Sequence, residues 1–205
     1  MNWAHEDALR REGYRRIAGL DEVGRGSLAG PVVAAAVILD RSSRLPRVRD
    51  SKLLSEGRRR QQFGEIALSA VAYGLGIAEA ATVDRLNVLE ATREAMRSAV
   101  NALPDQPDVL LIDAVELPGL DVPQRSLIHG DQRCLSIAAA SILAKVFRDE
   151  MMKEFDDLFP GYRFRRNKGY GTAEHRQALL SLGPSPLHRR TFEGVLAFPS
   201  SKEGN

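Results

Sequence analysis

The sequence predicts an α/β domain with a mixed β-sheet, followed by a small helical appendage. Two observations indicate this class. Short apolar runs typical of strands come early, and strands and helices then alternate along the chain. After about Met152 no further strand-like run follows. We therefore expect the sheet to lie within residues 1–152 and a helical segment over 153–205 to pack on it.

The first half of the chain alternates amphipathic runs with apolar ones. The run between residues 32 and 39 carries no charge until its end, so a nearly buried strand is expected there. Ser55 is a good N-cap for the helix that follows the arginine-rich loop. The predicted strands lie over residues 16–20, 32–39 and 71–78, and the predicted helices over 4–14 and 55–68.

The second half contains longer helices. Thr82 is expected to cap one helix that runs to about Ala102, because apolar residues recur there at helical spacing. Small residues dominate the start of a long helix, which suits close packing on a sheet. The remaining predictions are strands over 109–112 and 124–128, and helices over 135–155, 173–182 and from about Ser185–Pro186, where Pro186 suits a first helical position.

Composition limits the class of protein. The chain has 205 residues, 43% of them hydrophobic, which suffices for one globular domain. A single cysteine, Cys134, excludes a disulfide framework. The charged N-terminal stretch does not resemble a secretory signal, and no uncharged run approaches the ~20 residues of a membrane helix. We expect a cytoplasmic, monomeric protein without a membrane partner.

Positive charge is concentrated in two segments. Residues 41–60 contain eight basic and two acidic residues, and residues 161–190 contain seven basic and one acidic. Two basic segments on either side of an acidic middle suggest a polyanion bound around an acidic centre. For either segment alone, a solvated surface is an equally good interpretation.

Four acidic residues come directly after short apolar runs or close behind them: Asp21, Glu22, Asp113 and Asp131. Acids at strand ends can converge at the edge of a sheet, where several of them cannot all stay ionised without cations. Oxygen ligands without a histidine or cysteine set select Mg²⁺ or Mn²⁺, and a pair of such ions typically serves phosphodiester cleavage. Taken singly, Asp113 also suits a turn and Asp131 a helix N-cap.

The adjacent pair Asp21 and Glu22 poses a geometric difficulty. Neighbouring residues of a regular strand point to opposite faces, so the two side chains share a site only if the strand ends or bulges there. The glycines at positions 24, 26 and 30 favour such an ending, and they also let backbone approach a ligand closely.

Several motifs, in order, resemble the ribonuclease HII family over about residues 15–195. They are GLDEVGRGSLAGPVVAAAVIL, DSKLLS, LLIDAVELP, HGDQRCLSIAAASILAKVFRDEMM, NKGYGTAEH and PLHRRTF. The resemblance implies a ribonuclease H-like fold with a catalytic domain over 1–152 and a substrate-binding helical segment over 153–205. It also implies hydrolysis of the RNA strand of RNA–DNA hybrids and incision 5′ to single ribonucleotides in duplex DNA, leaving 3′-hydroxyl and 5′-phosphate ends.

The resemblance also assigns roles to residues. The four carboxylates would hold two Mg²⁺ or Mn²⁺ ions, with Asp21 bridging them. Gly24, Arg25 and Gly26 would read the ribose 2′-hydroxyl, which distinguishes RNA from DNA, and Tyr170 would stack on the deoxyribose beyond the ribonucleotide. The candidate phosphate contacts, each of which also has a structural interpretation, are Lys52, Ser141, Lys145, Lys168 and Arg189. His175 and His188 lack metal-ligand spacing, and we interpret them as structural or backbone-contacting.

The sequence departs from the family pattern at two places. His129 stands where the family often has lysine, and Leu53 replaces a lysine of the DSKKL motif. Neither departure touches a carboxylate. The alternatives left open are a non-catalytic nucleic-acid-binding protein of the same fold and a nuclease of the ribonuclease HIII or resolvase type.

Overall fold

A computed structural model describes residues 2–43, 45 and 55–196 of the chain. Lys52 lies outside these residues, as does the DSKLLS motif except for its last residue, Ser55. The described strands are β1 (Ile17–Val23), β2 (Val32–Ile38), β3 (Ala72–Ala78), β4 (Val109–Asp113) and β5 (Gln124–Leu127). The described helices are α1 (Ala4–Arg11), α2 (Glu56–Ser69), α3 (Ala80–Leu86), α4 (Val88–Asn101), α5 (Gly130–Arg133), α6 (Leu135–Leu158), α7 (Phe164–Asn167) and α8 (Ala173–Leu182).

The strands form one mixed sheet in the order β3-β2-β1-β4-β5, which confirms the predicted α/β class. The pairs β1–β2 and β2–β3 are antiparallel, whereas β1–β4 and β4–β5 are parallel. Strands β1, β4 and β5 therefore run in the same direction, and their carboxyl ends meet at one edge of the sheet. This edge carries the acidic residues.

Helices cover both faces of the sheet, and the alternation along β2 shows how. Val32, Ala34, Ala36 and Ile38 pack into the core formed with α4, while Val33, Ala35 and Val37 pack into the core formed with α6. All seven residues of β2 are buried, as the uncharged run predicted. On β1, a Cβ at Gly19 would lie 2.2 Å from the Ser136 carbonyl carbon, so the missing side chain lets α6 approach the sheet.

The segment after Met152 contains no strand up to residue 196, as predicted. It packs on the sheet domain through an apolar cluster that includes Leu28 and Ala29 from one side and Phe164, Leu179 and Val195 from the other. Because both sides contribute fully buried residues, the two parts share a core.

Two helix predictions are wrong. The single helix from Thr82 to Ala102 is divided into α3 and α4 by Asn87, which has a φ of 77° and caps α4 by accepting hydrogen bonds from Leu89 N and Glu90 N. No helix begins at Ser185–Pro186 in the described part of the chain. Ser185 instead donates its backbone N–H to His188 Nδ1, at 3.0 Å, which directs the chain into turns.

None of the helices within the described ranges is long and apolar enough to cross a bilayer.

Candidate active site

Three aspartates converge at the carboxyl edge of the sheet. Asp21 lies on β1, Asp113 ends β4, and Asp131 lies in the first turn of α5. Each offers a carboxylate oxygen, and these oxygens all lie within 4.8 Å of one another. Gly130 N donates to Asp113 Oδ1 at 3.0 Å, which ties the end of β4 to α5. Asp131 is thus not the N-cap of a helix; His129 occupies that position, with a φ of 55°.

Glu22 stands apart from these three aspartates. The prediction that the strand ends at Asp21 is wrong, because β1 pairs regularly with β2 as far as Val23. Asp21 therefore points to the α6 face and Glu22 to the other face. Glu22 still lines the same cavity, where its Oε1 accepts a hydrogen bond from Arg25 at 3.1 Å. Its Oε2 is buried and has no hydrogen-bond partner within the described residues.

Burial and mutual repulsion disfavour the simultaneous ionisation of all the carboxyl groups at this site. Burial raises the pKa of Asp21 well above its ordinary value, and the carboxylates of Glu22 and Asp113 raise it further. Burial also raises the pKa of Glu22, although Arg25 acts in the opposite direction. A group of carboxylates in this state is stabilised by a cation placed among them.

Two side chains of α6 lie beside the aspartates. The Ser141 hydroxyl hydrogen-bonds to Asp21 and thereby lowers the pKa of that carboxyl. Lys145, one turn further along, forms an ion pair with Asp149 at 2.7 Å. Both residues line the cavity, so both predicted positions lie at the site, although Ser141 contacts a carboxylate directly.

Arg59 of α2 also lines this cavity, and sequence reasoning missed it. Its Nη2 lies 4.0 Å from Asp149 Oδ2. The signal was the basic run at 58–60, which identified a charged segment without showing which arginine faces inward.

The glycine-rich turn (residues 24–31) lies next to the cluster and is held by two fully buried arginines. Arg189 donates to the carbonyls of Gly24, Arg25 and Gly30 at 2.7–3.1 Å. Arg148 donates to the carbonyls of Pro31 and Ala29 and to Ser27 Oγ at 2.9–3.1 Å, and to the Lys168 carbonyl at 2.8 Å. These hydrogen bonds fix the backbone of the glycine-rich turn.

The structure contradicts Arg189 as a phosphate contact, because its side chain has no exposed surface and its donors are directed at carbonyls. Sequence reasoning also missed Arg148, since an arginine in a long helix ordinarily faces solvent. Burial lowers the pKa of Arg189 to about 9. At Gly24, which has a φ of 93°, an added Cβ would lie 2.3 Å from Arg148 Nε, so only glycine fits between the turn and its support.

Of the two predicted contacts in the C-terminal segment, Tyr170 lines the cavity and Lys168 does not. The Tyr170 ring lines the cavity and is 36% exposed, with Arg148 Cζ 5.5 Å and Lys145 Nζ 5.9 Å from its centroid. Lys168 donates to the Arg165 carbonyl, and burial lowers its pKa.

Gly26 is exposed and an added Cβ there would meet nothing within 4 Å, so the tip of the glycine-rich turn is accessible.

Comparison with solved structures defines the fold as one shared with ribonuclease H2 and ribonuclease HIII. The fold superposes on ribonuclease H2 from Pyrococcus horikoshii with a TM-score of 0.77, at 24% identity, over 88% of this chain and 95% of that one. It superposes on Bst-RNase HIII in complex with Mn²⁺ with a TM-score of 0.65, at 22% identity, over 85% and 63% of the two chains.

The sequence then gives the family. Residues 18–195 match the family model of ribonuclease HII. The chain is 53% identical to ribonuclease HII of Geobacter sulfurreducens over 94% of its length and 89% of that protein's, and 53% identical to ribonuclease HII of Enterococcus faecalis over 93% and 74%. The chain belongs to the ribonuclease HII family. It is a ribonuclease H endonuclease, which excludes the non-catalytic and resolvase alternatives.

Proposed function

We propose that the protein hydrolyses the RNA strand of RNA–DNA hybrids and incises 5′ to a single ribonucleotide in duplex DNA, leaving 3′-hydroxyl and 5′-phosphate ends. Its membership of the ribonuclease HII family supports this reaction. The observation that carries the proposal is the placement of three converging aspartates beside an accessible glycine-rich turn. One edge of the sheet thus combines acidic ligands with backbone groups that suit a ribose hydroxyl.

The donor set fits two divalent cations, Mg²⁺ or Mn²⁺. All the candidate ligand atoms are carboxylate oxygens, the pKa of Asp21 is raised, and Glu22 Oε2 is buried without a partner among the described residues. Mn²⁺ is bound by the structurally similar Bst-RNase HIII. When bound, such ions activate the attacking water and stabilise the leaving oxygen.

We assign the metal-holding and catalytic role to Asp21, Glu22, Asp113 and Asp131. Asp21 occupies the centre, because it interacts with both Glu22 and Asp113 and receives a hydrogen bond from Ser141. That hydrogen bond orients the Asp21 carboxylate and favours its ionised form, as partners of ligating carboxylates generally do.

We assign substrate binding to the glycine-rich turn and to part of the cavity wall. Gly24, Arg25 and Gly26 read the 2′-hydroxyl, and the two buried arginines keep their backbone in place. Tyr170 stacks on the sugar beyond the ribonucleotide. Lys145 and Arg59 line the cavity where the backbone phosphates would pass, and Lys52 and Lys168 add basic charge. In this scheme residues 1–152 supply catalysis, and residues 153–205 add substrate contacts through Tyr170 and Lys168.

The test is cleavage of a DNA duplex that contains one ribonucleotide, with Mg²⁺ or Mn²⁺, alongside a uniform RNA–DNA hybrid and a four-way DNA junction. We expect a nick on the 5′ side of the ribonucleotide, cleavage of the hybrid, and an intact junction. Folded protein that cleaves neither ribonucleotide-containing substrate with either metal would overturn the proposal.

Asp131→Asn provides the matched test of the site. Loss of one ligand should reduce cleavage by at least about 10³-fold, because the metal pair supplies most of the transition-state stabilisation. Binding of the duplex, measured by fluorescence anisotropy, should change little. Substantial remaining activity would show that the carboxylates are assigned incorrectly.

A further inference from the structure

Two buried histidines link the C-terminal segment to Tyr170. His175 Nε2 lies 3.0 Å from His188 Nε2, and the two side chains belong to residues that are 0% and 2% exposed. At one end, His188 Nδ1 lies 3.0 Å from Ser185 N and 2.8 Å from Ser185 Oγ. At the other end, His175 Nδ1 lies 2.9 Å from the Tyr170 carbonyl oxygen.

The partners at the two ends fix the protons in between. The backbone N–H of Ser185 only donates, so His188 Nδ1 accepts and the proton of a neutral ring lies on Nε2. The carbonyl of Tyr170 only accepts, so His175 Nδ1 carries its proton and Nε2 accepts. His188 Nε2 thus donates to His175 Nε2, and the hydrogen bonds run in one direction from Ser185 to Tyr170.

The surroundings favour this neutral arrangement. The rings of Tyr162 and Phe164 pack against the pair, with centroid distances of 4.9 Å from Tyr162 to His188 and 5.4 Å from Phe164 to His175. Burial lowers the pKa of both histidines, that of His188 to about 4. Both rings are therefore uncharged at neutral pH, as the directed hydrogen bonds require.

We propose that His188 and His175 act as positioning residues that fix the backbone at Tyr170 and so set the discrimination of an RNA-to-DNA junction. This inference rests on the proposed contact of Tyr170 with the sugar beyond the ribonucleotide. Thr172 N also donates to the Tyr170 carbonyl, at 2.8 Å, so His175 supplies the second of two hydrogen bonds to that oxygen. It is the one that connects Tyr170 to the segment containing Arg189, which holds the glycine-rich turn.

We call the directed chain of hydrogen bonds from Ser185 through His188 and His175 to Tyr170 the relay. Two amide substitutions at His175 separate the effects of its two ends. In His175→Asn the amide nitrogen lies near the position of Nδ1 and still donates to the Tyr170 carbonyl, whereas in His175→Gln the longer amide reaches towards His188 and leaves that carbonyl without its donor. The measured quantity is kcat/KM on the single-ribonucleotide duplex divided by kcat/KM on a uniform hybrid, which lacks the junction.

We expect His175→Gln to lower this ratio about five- to tenfold, the value of one neutral hydrogen bond, and His175→Asn to stay within about twofold of the wild type. In a Tyr170→Ala background, His175→Gln should not change the ratio further, because the residue acts through Tyr170. Equal effects of Asn and Gln, or an equal effect of Gln with and without Tyr170, would overturn the relay. If Tyr170→Ala alone leaves the ratio unchanged, the proposed role of Tyr170 fails instead.

The unsubstituted protein gives an independent test that does not depend on how the variants fold. Two-bond ¹H–¹⁵N spectra at neutral pH report which nitrogen of each histidine carries the proton. We expect protonated Nε2 in His188 and protonated Nδ1 in His175. The opposite tautomer in either ring, or a charged ring, would contradict the directed relay.

Discussion

Ser141 shows how a single hydroxyl supports the acidic cluster. Burial and neighbouring carboxylates raise the pKa of Asp21, and the Ser141 hydrogen bond is among the interactions that lower it. Because a divalent cation binds the ionised carboxylate, this hydroxyl favours the state that takes up metal. The effect is exerted through Asp21, since Ser141 is itself nearly buried.

We expect Ser141→Ala to raise the Mg²⁺ concentration required for half-maximal cleavage by about tenfold, while activity at saturating Mg²⁺ falls much less. A Mg²⁺ titration of the initial rate measures this. Ser98→Ala, at an exposed position of α4, is the matched control and should leave the titration unchanged. An unchanged Mg²⁺ requirement in Ser141→Ala would show that the hydroxyl does not support the ligand.

Individual site residues differed in how far the sequence predicted them. The aspartates followed apolar runs, and strand alternation correctly raised doubt about Asp21 and Glu22 sharing one orientation. Arg189 was misassigned because a basic residue in a basic segment suggests phosphate binding. Its burial depends on carbonyls of the glycine-rich turn, which no local pattern places beside it.

The break between α3 and α4 shows an element boundary that a periodic pattern hides. Apolar residues continue at helical spacing across the break, so the pattern predicted one helix. The available signal was Asn87 followed three residues later by Glu90, a capping pattern that marks a helix start. Asn also tolerates the positive φ of the junction better than most residues.

We expect Asn87→Ala to lower the free energy of unfolding by about 1–2 kcal/mol. The substitution removes the cap, and alanine cannot offset the strain of a positive φ with a side-chain hydrogen bond. Asn87→Gly should cost only a few tenths of a kcal/mol, because glycine accepts the backbone conformation. Urea denaturation followed by circular dichroism measures both. Equal stability of the Ala and Gly variants would contradict this account of the junction.

The glycine-rich turn depends on the planar shape of the Arg189 side chain. One guanidinium donates to three different carbonyls, which a single ammonium group at the end of a flexible chain does not reproduce. The carbonyls left behind would be buried without partners.

We therefore expect Arg189→Lys to lower stability by about 2–3 kcal/mol and to reduce cleavage of the single-ribonucleotide duplex. Arg190→Lys is the matched control, since the neighbouring side chain is exposed and should change stability by less than about 0.5 kcal/mol. Thermal denaturation and initial rates on the same preparations give both values. A stable and active Arg189→Lys protein would show that the turn supports itself.

At the scale of the whole molecule, the sequence predicted the α/β class and the location of all five strands, but not their order. The parallel pairing of β1 with β4 joins Leu20 to Ile112, which are far apart in the chain. Each strand alone is compatible with several neighbours, and the observed order is the one in which α4 covers one face of the sheet and α6 the other. The shared core of the C-terminal segment is equally a property of the assembled molecule.

The two buried histidines make the stability of the whole protein depend on pH. The pKa of His188 is about 4 when folded, against an ordinary value of 6.5, so the unfolded chain binds more protons between these values. The contribution is complete above pH 6.5 and is lost progressively down to about pH 4, with an upper limit of about 3 kcal/mol.

We expect the melting temperature of the wild type to fall more steeply between pH 6.5 and 4 than that of His188→Gln, which keeps a donor towards His175 but does not titrate. Differential scanning calorimetry at several pH values measures the difference. Parallel curves for the two proteins would show that His188 is not held neutral in the fold.

The contact between Arg189 and the glycine-rich turn also has a consequence for synthesis. The arginine lies 159 positions after Gly30, the carbonyl that it binds, so a ribosome adding about 5–20 residues per second needs roughly 8–30 s to supply it. Asp21, Asp113 and Asp131 are all made earlier. A growing chain thus holds its three clustered aspartates well before Arg189 can secure the glycine-rich turn. Under the proposed assignment of that turn to the ribose, selectivity is the later of the two properties that the nascent protein acquires.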